Sequence, residues 1–296
     1  MTTFRSTLFF ISACIFSLLL AAATASGVTL EEIRSRGTLR HLAVPYAKFS
    51  NMKEDGLDCA LMKRFAEYLG VTYQFIPTDF SKGFLDVTGV DIKDESKPRD
   101  TSKIIGDVFA CGLSVLPERD KHVDFSLPTF ISEVWLVAKS NSELTPITPS
   151  GNEDVDIALT VSKLKGKTVH GVSKTSLDYR NFPYLQEAGA TPVNIQYTST
   201  TSTFLYALQR NILFLSESPN VMVGLRQWPY RFKVIGPISR SMRMAAAFAP
   251  ESVELREEFN KFFIEQWESG EYRKLVEHYY PGASTFLSSF LEKSTP

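Results

Sequence analysis

The sequence predicts an α/β protein made of two lobes. Short apolar runs typical of strands alternate with amphipathic stretches typical of helices, which is the order that α/β folds produce. The chain has 296 residues, of which 44% are hydrophobic, and this is enough for two lobes that each bury a core. The formal net charge of −1 argues against nucleic acid or an anionic membrane surface as a partner.

The first 25 residues have the composition of a secretory signal peptide. Arg5 is their only charged residue, the segment 8–23 is almost entirely apolar, and Ala23-Thr24-Ala25 forms a small-residue cleavage site. We expect cleavage after Ala25 and export to the periplasm. An uncleaved membrane anchor and a lipoprotein attached through Cys14 are the alternatives.

After this segment the pattern predicts a helix and then a strand. The helix begins at Leu30 and stops at Gly37, and the strand runs over 39–44. Tyr46 and Phe49 follow in the loop after the strand.

A second helix is predicted over 58–69. Leu61, Phe65 and Leu69 lie on one helical face, and Gly70 ends the helix. Asp58 is expected to cap the first turn. A strand over 71–77 follows.

The stretch 108–128 carries the residues with the clearest chemistry. Its apolar run over 108–115 predicts a buried strand, which Gly112 and Pro117 bring to an end. Ser114 and Arg119 then stand five residues apart beyond a strand end. An arginine fork matches a carboxylate through two hydrogen bonds, and a serine hydroxyl adds a third polar contact.

This stretch, from Gly112 to Pro128, resembles the signature of the family 3 bacterial extracellular solute-binding proteins, which are the polar amino-acid receptors of ABC importers. The opening 30–40, the helix region 56–71 and the segment 164–176 also resemble the family pattern. The resemblance runs in order from 30 to 282. It implies a type II periplasmic-binding-protein (Venus-flytrap) fold, in which two hinge strands join two α/β lobes around the ligand.

The resemblance also implies domain boundaries. Residues 1–25 are the signal peptide, 26–131 together with 243–296 form the first lobe, and 132–242 form the second. We expect the first hinge near 129–133 and the return crossing over 244–248.

The family pattern assigns ligand-binding roles to matching positions of this chain. Arg119, Ser114 and the Gly112 backbone would hold a carboxylate, while Thr175 and Ser176 would lie in a loop that enters a helix N-terminus. The remaining assigned positions are Glu217 for an ammonium, Tyr46, Phe49 and Phe80 for aromatic contact, and Lys174 in place of a glycine. The alternatives are aromatics that only cover a strand end, an ordinary exposed Glu217, and a solvent-facing Lys174.

Two departures from the family pattern bear on the ligand. The family often has an Asp after the first strand, and this chain has Val44-Pro45 there; Glu217 is also longer than the usual Asp. The carboxylate half of the site is therefore better preserved, which suggests a dicarboxylate or a modified amino acid. From 81 to 103 the chain departs from the family pattern, which has a short helix here. The polar stretch 89–103 predicts a solvated loop or a locally ordered insertion, and a lip over the cleft or a docking surface for a partner is the alternative.

Cysteine and histidine give no sign of a metal or cofactor. Cys59 and Cys111 would either pair in an exported protein or remain two buried thiols. The four histidines, at 41, 122, 170 and 278, lack metal-ligand spacing. We expect no cofactor and no metal.

The predicted function is a monomeric periplasmic receptor that captures a small carboxylate-bearing solute, an amino acid or a derivative, and delivers it to an ABC permease. A receptor for a sensor or another periplasmic complex is the alternative. A dehydratase of the same fold is less favoured, because Leu177 stands where those enzymes place a catalytic Glu. Lytic transglycosylases begin with a similar domain, but no catalytic domain is expected after this one.

Overall fold

The structure is a computed structural model that describes residues 27–80, 82–94, 96–173, 175–196 and 200–283. The predicted signal peptide, Cys14 and Lys174 lie outside the described residues.

The described chain alternates helices with short strands. The helices are α1 (Leu30–Arg36), α2 (Leu57–Leu69), α3 (Gly83–Thr88), α4 (Pro117–Asp120), α5 (Glu153–Ser162), α6 (Tyr184–Glu187), α7 (Thr200–Arg210), α8 (Ser218–Gln227), α9 (Val253–Glu268) and α10 (Glu271–Tyr279). The strands are β1 (Thr38–Ala43), β2 (Thr72–Pro77), β3 (Val108–Phe109), β4 (Asp124–Phe125), β5 (Phe130–Ser132), β6 (Val134–Lys139), β7 (Thr168–Val172), β8 (Thr191–Ile195), β9 (Leu213–Glu217), β10 (Phe232–Pro237), β11 (Met242–Met244) and β12 (Ala247–Phe248).

Two five-stranded sheets form the two lobes. Lobe 1 has the strand order β2-β1-β3-β12-β4, and lobe 2 has the order β10-β6-β9-β7-β8. In lobe 1, β1 pairs in parallel with both β2 and β3. In lobe 2, β7 pairs in parallel with β8 and β9. The carboxyl ends of these parallel strands share one edge of each sheet, the edge at which open α/β sheets place their ligands.

A separate two-stranded sheet connects the lobes. Strand β5 pairs with β11 in antiparallel fashion, with Ser132 opposite Met242 and Phe130 opposite Met244. The predicted boundaries after residue 131 and before residue 243 fall within these two strands.

Each lobe buries aromatic and aliphatic side chains against its sheet. In lobe 1, Phe65 of α2 lies 5.2 Å from Phe259 of α9, ring centre to ring centre, in an edge-to-face arrangement. In lobe 2, Phe204 contacts Phe214 and Phe232 in the same manner. Edge-to-face pairs of this kind add to the free energy gained from burial.

Several helix ends follow the sequence signals. Thr29 caps α1 in a capping box with Glu32, and Gly37 ends the helix in the left-handed conformation. Gly70 ends α2 in the same way. The positive φ of these two glycines costs little because they lack a Cβ.

The predicted capping role of Asp58 is wrong. Gly56 is the N-cap of α2 and no side chain caps the helix. Asp58 points into the core instead, where its Oδ2 accepts a hydrogen bond of 2.6 Å from the backbone N–H of Gly112.

The predicted strand over 108–115 is shorter in the structure. Only Val108 and Phe109 form β3, because the chain leaves the sheet and Gly112 adopts a left-handed φ of 68°. The segment remains buried as far as Leu113.

The described part of the segment 81–103 consists of a short helix followed by an ordered loop, which agrees with the alternative of a locally ordered insertion. Helix α3 forms over Gly83–Thr88, with Phe84 and Val87 buried. Arg99 fastens the following loop to the rest of lobe 1, since its Nε donates to the Thr88 carbonyl at 2.7 Å and its guanidinium pairs with Glu251. A loop held in this way is an ordered part of lobe 1.

The two described cysteines do not form a disulfide. Cys59 and Cys111 are both free and buried, so the disulfide alternative is wrong for this structure. Burial raises the pKa of the Cys59 thiol to about 11.

Candidate ligand-binding cleft

The loops at the shared strand edges carry most of the predicted site residues. In lobe 1, Tyr46 follows β1, Phe80 follows β2, and Ser114 lies beyond β3. In lobe 2, Ser176 lies beyond β7, and Glu217 is the last residue of β9. The structure brings Tyr46, Ser176 and Glu217 into one hydrogen-bonded polar group.

Arg119 lies on α4 and is partly buried. Its Nη1 donates to the Ser114 carbonyl at 2.9 Å, and its guanidinium lies 5.6 Å from the ring centre of Phe84. Burial lowers the pKa of Arg119, although the charges of Cys111 and Glu118 act in the opposite direction.

The guanidinium of Arg119 makes no ion pair with the described part of the chain, whose ion pairs involve other residues. A partly buried cation without a carboxylate partner is a suitable binding group for an external anion, because guanidinium pairs a carboxylate through two parallel hydrogen bonds.

Glu217 is the acid of lobe 2 and is 7% exposed. Its Oε1 accepts a hydrogen bond of 2.8 Å from the Ser176 hydroxyl, and its Oε2 accepts one from the hydroxyl of Tyr46 in lobe 1. Burial raises the pKa of the Glu217 carboxyl to about 7. The predicted alternative of an ordinary exposed Glu does not hold.

Tyr46 therefore connects the two lobes. Its ring stacks on Phe49 at an interplanar angle of 5° and meets the Phe80 ring at 83°, with ring centres 6.0 Å apart in both pairs. Phe80 is 42% exposed. The apolar side of this contact also involves α8, whose Met222 and Val223 pack against the core of lobe 1.

Contrary to the prediction, Phe49 and Gly112 make their contacts inside lobe 1. Phe49 has no exposed surface and packs against Phe130 and Tyr280 in the lobe 1 core. The backbone N–H of Gly112 donates to the buried Asp58 carboxylate, so it is already used within the protein.

The loop after β7 also differs from the prediction. The Thr175 hydroxyl is used locally, donating to the Val172 carbonyl at 2.8 Å and accepting from the Leu177 amide at 3.0 Å. A 3-10 turn, Tyr179–Asn181, capped by Asp178, follows this loop. The expected α-helix N-terminus is therefore absent directly after Ser176 within the described residues.

The sequence analysis missed two residues that contact the site, Asn220 and Phe84. Asn220, in the first turn of α8, donates from Nδ2 to the Tyr46 hydroxyl at 3.1 Å. Phe84 forms the surface beneath Arg119. Asn220 follows Glu217 by three residues, which is the spacing that returns a side chain to the same side of a helix start.

Other kinds of site find no support in the described ranges. No group of three or more His, Cys, Asp or Glu residues there is placed to hold a metal ion. None of the helices described has the length and apolar character needed to cross a membrane.

Comparisons with known proteins agree with this architecture. The family model of the bacterial extracellular solute-binding proteins, family 3, matches residues 101–282. A membrane-bound lytic murein transglycosylase F from Desulfosudis oleivorans is 25% identical over 219 residues. That match covers 70% of this chain and 44% of the transglycosylase, so the chain spans less than half of its length.

Solved structures share the fold at low sequence identity. A mutant of ArgBP from T. maritima is 24% identical, with a TM-score of 0.59, over 85% of this chain and 98% of that chain. An ancestral cationic amino acid solute-binding protein is 22% identical, with a TM-score of 0.62, over 85% and 99%. The two-lobe binding-protein fold is thus common to all three chains.

Proposed function

This chain belongs to the family 3 bacterial extracellular solute-binding proteins, and we propose that it is a periplasmic receptor for a small carboxylate-bearing solute, an amino acid or a derivative of one. The solute would bind between the lobes as a monomeric receptor closes on it, and the closed form would deliver it to an ABC permease. Export would follow cleavage after Ala25.

The environment of Arg119 is the observation that carries this proposal. It is a partly buried cation on the short helix α4 beyond β3, and it makes no ion pair among the described residues. A ligand carboxylate would supply the missing countercharge through two charge-assisted hydrogen bonds. Lobe 2 would add its polar group around Ser176 and Glu217 as the hinge closes.

Closure would depend on how much more tightly the two lobes together bind the solute than lobe 1 binds it alone. A ligand shifts the balance of open and closed forms only by its extra affinity for the closed form. Groups that approach the ligand from the second lobe, such as the Ser176 hydroxyl, would provide that difference.

A binding role is favoured over catalysis. By the family resemblance, Leu177 lies nearest the position at which dehydratases of this fold carry a catalytic Glu, and its side chain packs against the lobe 2 core. An aliphatic side chain can neither donate nor accept the proton that a dehydration requires.

The alternative is a receptor module that serves a partner other than an importer. The similarity to part of a membrane-bound lytic murein transglycosylase supports it, because a domain of this kind there forms part of a larger protein. A permease and an ATPase gene beside this gene would favour the importer.

A thermal-shift scan against amino acids, dicarboxylates and keto acids tests the proposal. A ligand at about a thousand times its Kd adds about 4 kcal/mol of stability, which is several degrees for a protein of this size. The shift should disappear in Arg119→Gln and persist in the control Arg180→Gln, which alters an exposed arginine paired with Asp178. A shift that survives Arg119→Gln would refute the assigned carboxylate site.

A further inference from the structure

The carboxylate of Glu217 is already bound by two uncharged donors of the protein. Tyr46 donates to Oε2 and Ser176 donates to Oε1. Within the described ranges, the ion pairs involve other residues than Glu217. The position where the family pattern would place a ligand ammonium is thus occupied by a phenol hydroxyl from the opposite lobe.

The Tyr46 hydroxyl is held in place from several directions. The backbone N–H of Tyr46 donates to the Ser50 carbonyl at 3.0 Å, and this bond closes the turn after β1. The Tyr46 ring contacts both Phe49 and Phe80, and Asn220 donates to the hydroxyl oxygen at 3.1 Å. Movement away from Glu217 would break both polar contacts and disturb the stacked ring.

An ammonium would gain less at this carboxylate than at a free one. It would have to displace a hydroxyl or add a third group to an acid that is only 7% exposed. Burial also raises the pKa of Glu217 to about 7, so a share of the molecules carries a neutral acid at neutral pH. A neutral acid attracts a cation weakly.

We infer that Tyr46 is a specificity-determining residue, which occupies Glu217 and thereby selects carboxylic acids without an α-ammonium group. This inference rests on the proposed function, and it narrows the ligand to acids whose α-substituent is a hydroxyl, a keto oxygen or hydrogen. Arg119 binds the carboxylate of such a ligand, and the Ser176 hydroxyl contacts its uncharged part.

Matched ligands that differ only at the α-carbon test the inference by titration calorimetry. The probes are three series: glutamate, 2-hydroxyglutarate and 2-oxoglutarate; phenylalanine, phenyllactate and phenylpyruvate; and alanine, lactate and pyruvate. The wild-type protein is expected to bind the hydroxy or keto acid of a series at least tenfold more tightly than the amino acid.

Tyr46→Phe removes the hydroxyl and keeps the ring contacts with Phe49 and Phe80. This change is expected to move the ratio of amino-acid to hydroxy-acid affinity at least tenfold toward the amino acid. Glu217→Gln in the same background should abolish that gain. Tyr279→Phe is the matched control, because that hydroxyl bonds Asp55 on the surface of lobe 1; its ratio should equal the wild-type ratio.

The outcomes separate this inference from the proposed function. A wild-type protein that prefers the amino acid overturns the inference and leaves the receptor intact. A preference for hydroxy or keto acids that Tyr46→Phe does not change shows that Tyr46 is not the determinant. If no acid of any series binds, the proposed function is wrong and the inference falls with it. Unchanged melting temperatures of the variants confirm that each is folded.

Discussion

The buried carboxylate of Asp58 accepts a hydrogen bond of 2.6 Å from the backbone N–H of Gly112, 54 residues further along the chain. This bond joins the first turn of α2 to the loop that leads to Ser114 and Arg119. Asp58 is 4% exposed, and the loop bends at Gly112. A core residue therefore determines the course of the loop that we assign to carboxylate binding.

Removing the Asp58 acceptor should weaken both folding and binding. Asp58→Ala leaves the Gly112 N–H buried without its partner, which costs about 1–3 kcal/mol. Asp58→Asn keeps an acceptor oxygen at the same distance and should cost less. Urea unfolding measures the stability, and ligand titration measures the affinity. Equal losses in the two variants would show that the charge, and not the hydrogen bond, is what matters.

Asp58 should also give the protein a stability that falls as the pH rises from about 4 to about 7. Burial raises its pKa from 3.8 to about 7 in the folded protein, so in this window the folded state holds a proton that the unfolded chain has lost. Stability is then greatest below the unfolded pKa and is lost up to the folded pKa, by at most about 1.4 kcal/mol per pH unit.

The difference in unfolding free energy between Asp58→Asn and wild type isolates this effect. It should shift in favour of the variant as the pH rises through the window, because the variant carries no titrating group at this position. Glu217, whose pKa is also raised to about 7, lowers the stability of both proteins over the same pH range and so cancels in this difference. His41, whose pKa burial lowers to about 4, raises the stability of both proteins with rising pH and cancels in the same way. Parallel pH curves for variant and wild type would contradict the assignment.

Gly112 should tolerate no side chain. Its φ of 68° is left-handed, and an added Cβ would lie far inside van der Waals contact with the Phe49 ring. Gly112→Ala should therefore cost at least about 2 kcal/mol from backbone strain and overpacking together.

The matched control for this change is Gly37→Ala. Gly37 has nearly the same φ, 70°, but an added Cβ there would meet nothing within 4 Å. The control should lose only about 1 kcal/mol from backbone strain. Equal losses at the two sites, measured by urea unfolding, would mean that the Phe49 ring moves aside without cost.

These contacts also explain what the sequence could and could not predict. The end of α2 follows from local signals, namely the helical spacing of its apolar residues and the terminal Gly70. Asp at a helix start has the same local pattern whether it caps the helix or turns inward. Only the distant Gly112 N–H decides between the two, and no short window of sequence contains it.

The same reasoning applies to the cleft. A family resemblance placed Tyr46 and Glu217 in the candidate site, but the contact between them joins residues 171 positions apart in different lobes. The resemblance predicts Phe49 beside the ligand, whereas its contacts with Phe130 and Tyr280 bury it in the lobe 1 core. Local patterns identify which residues lie near a strand end, and tertiary packing decides which of them face the cleft.

Asp107 should be the most sensitive acid of lobe 1. Its side chain has no exposed surface and bonds both Arg36 and Arg40, and it also accepts the Arg40 backbone N–H at 2.8 Å. Asp107→Asn leaves two guanidinium groups without their countercharge and should cost about 3 kcal/mol.

The exposed pair of Arg240 with Asp154 provides the comparison, because its side chains are 69% and 64% exposed. Asp154→Asn should cost less than about 1 kcal/mol. Chemical unfolding of both variants in the same buffer gives the two values. A loss at Asp107 no larger than at Asp154 would show that Arg36 and Arg40 find solvent or other partners at little cost.

The two buried thiols should resist both alkylation and oxidation in the folded protein. Burial raises the pKa of Cys59 to about 11 and raises that of Cys111 further, and the thiolate is the reactive form. In protein produced from residue 26 onward, iodoacetamide at pH 8 should modify neither thiol on the timescale that modifies both in denaturant. A thiol that reacts at the same rate in the folded and the unfolded protein would place it at the surface. A disulfide formed under mild oxidation of the folded protein would show that the two sulfur atoms approach each other, contrary to the free thiols of the structure.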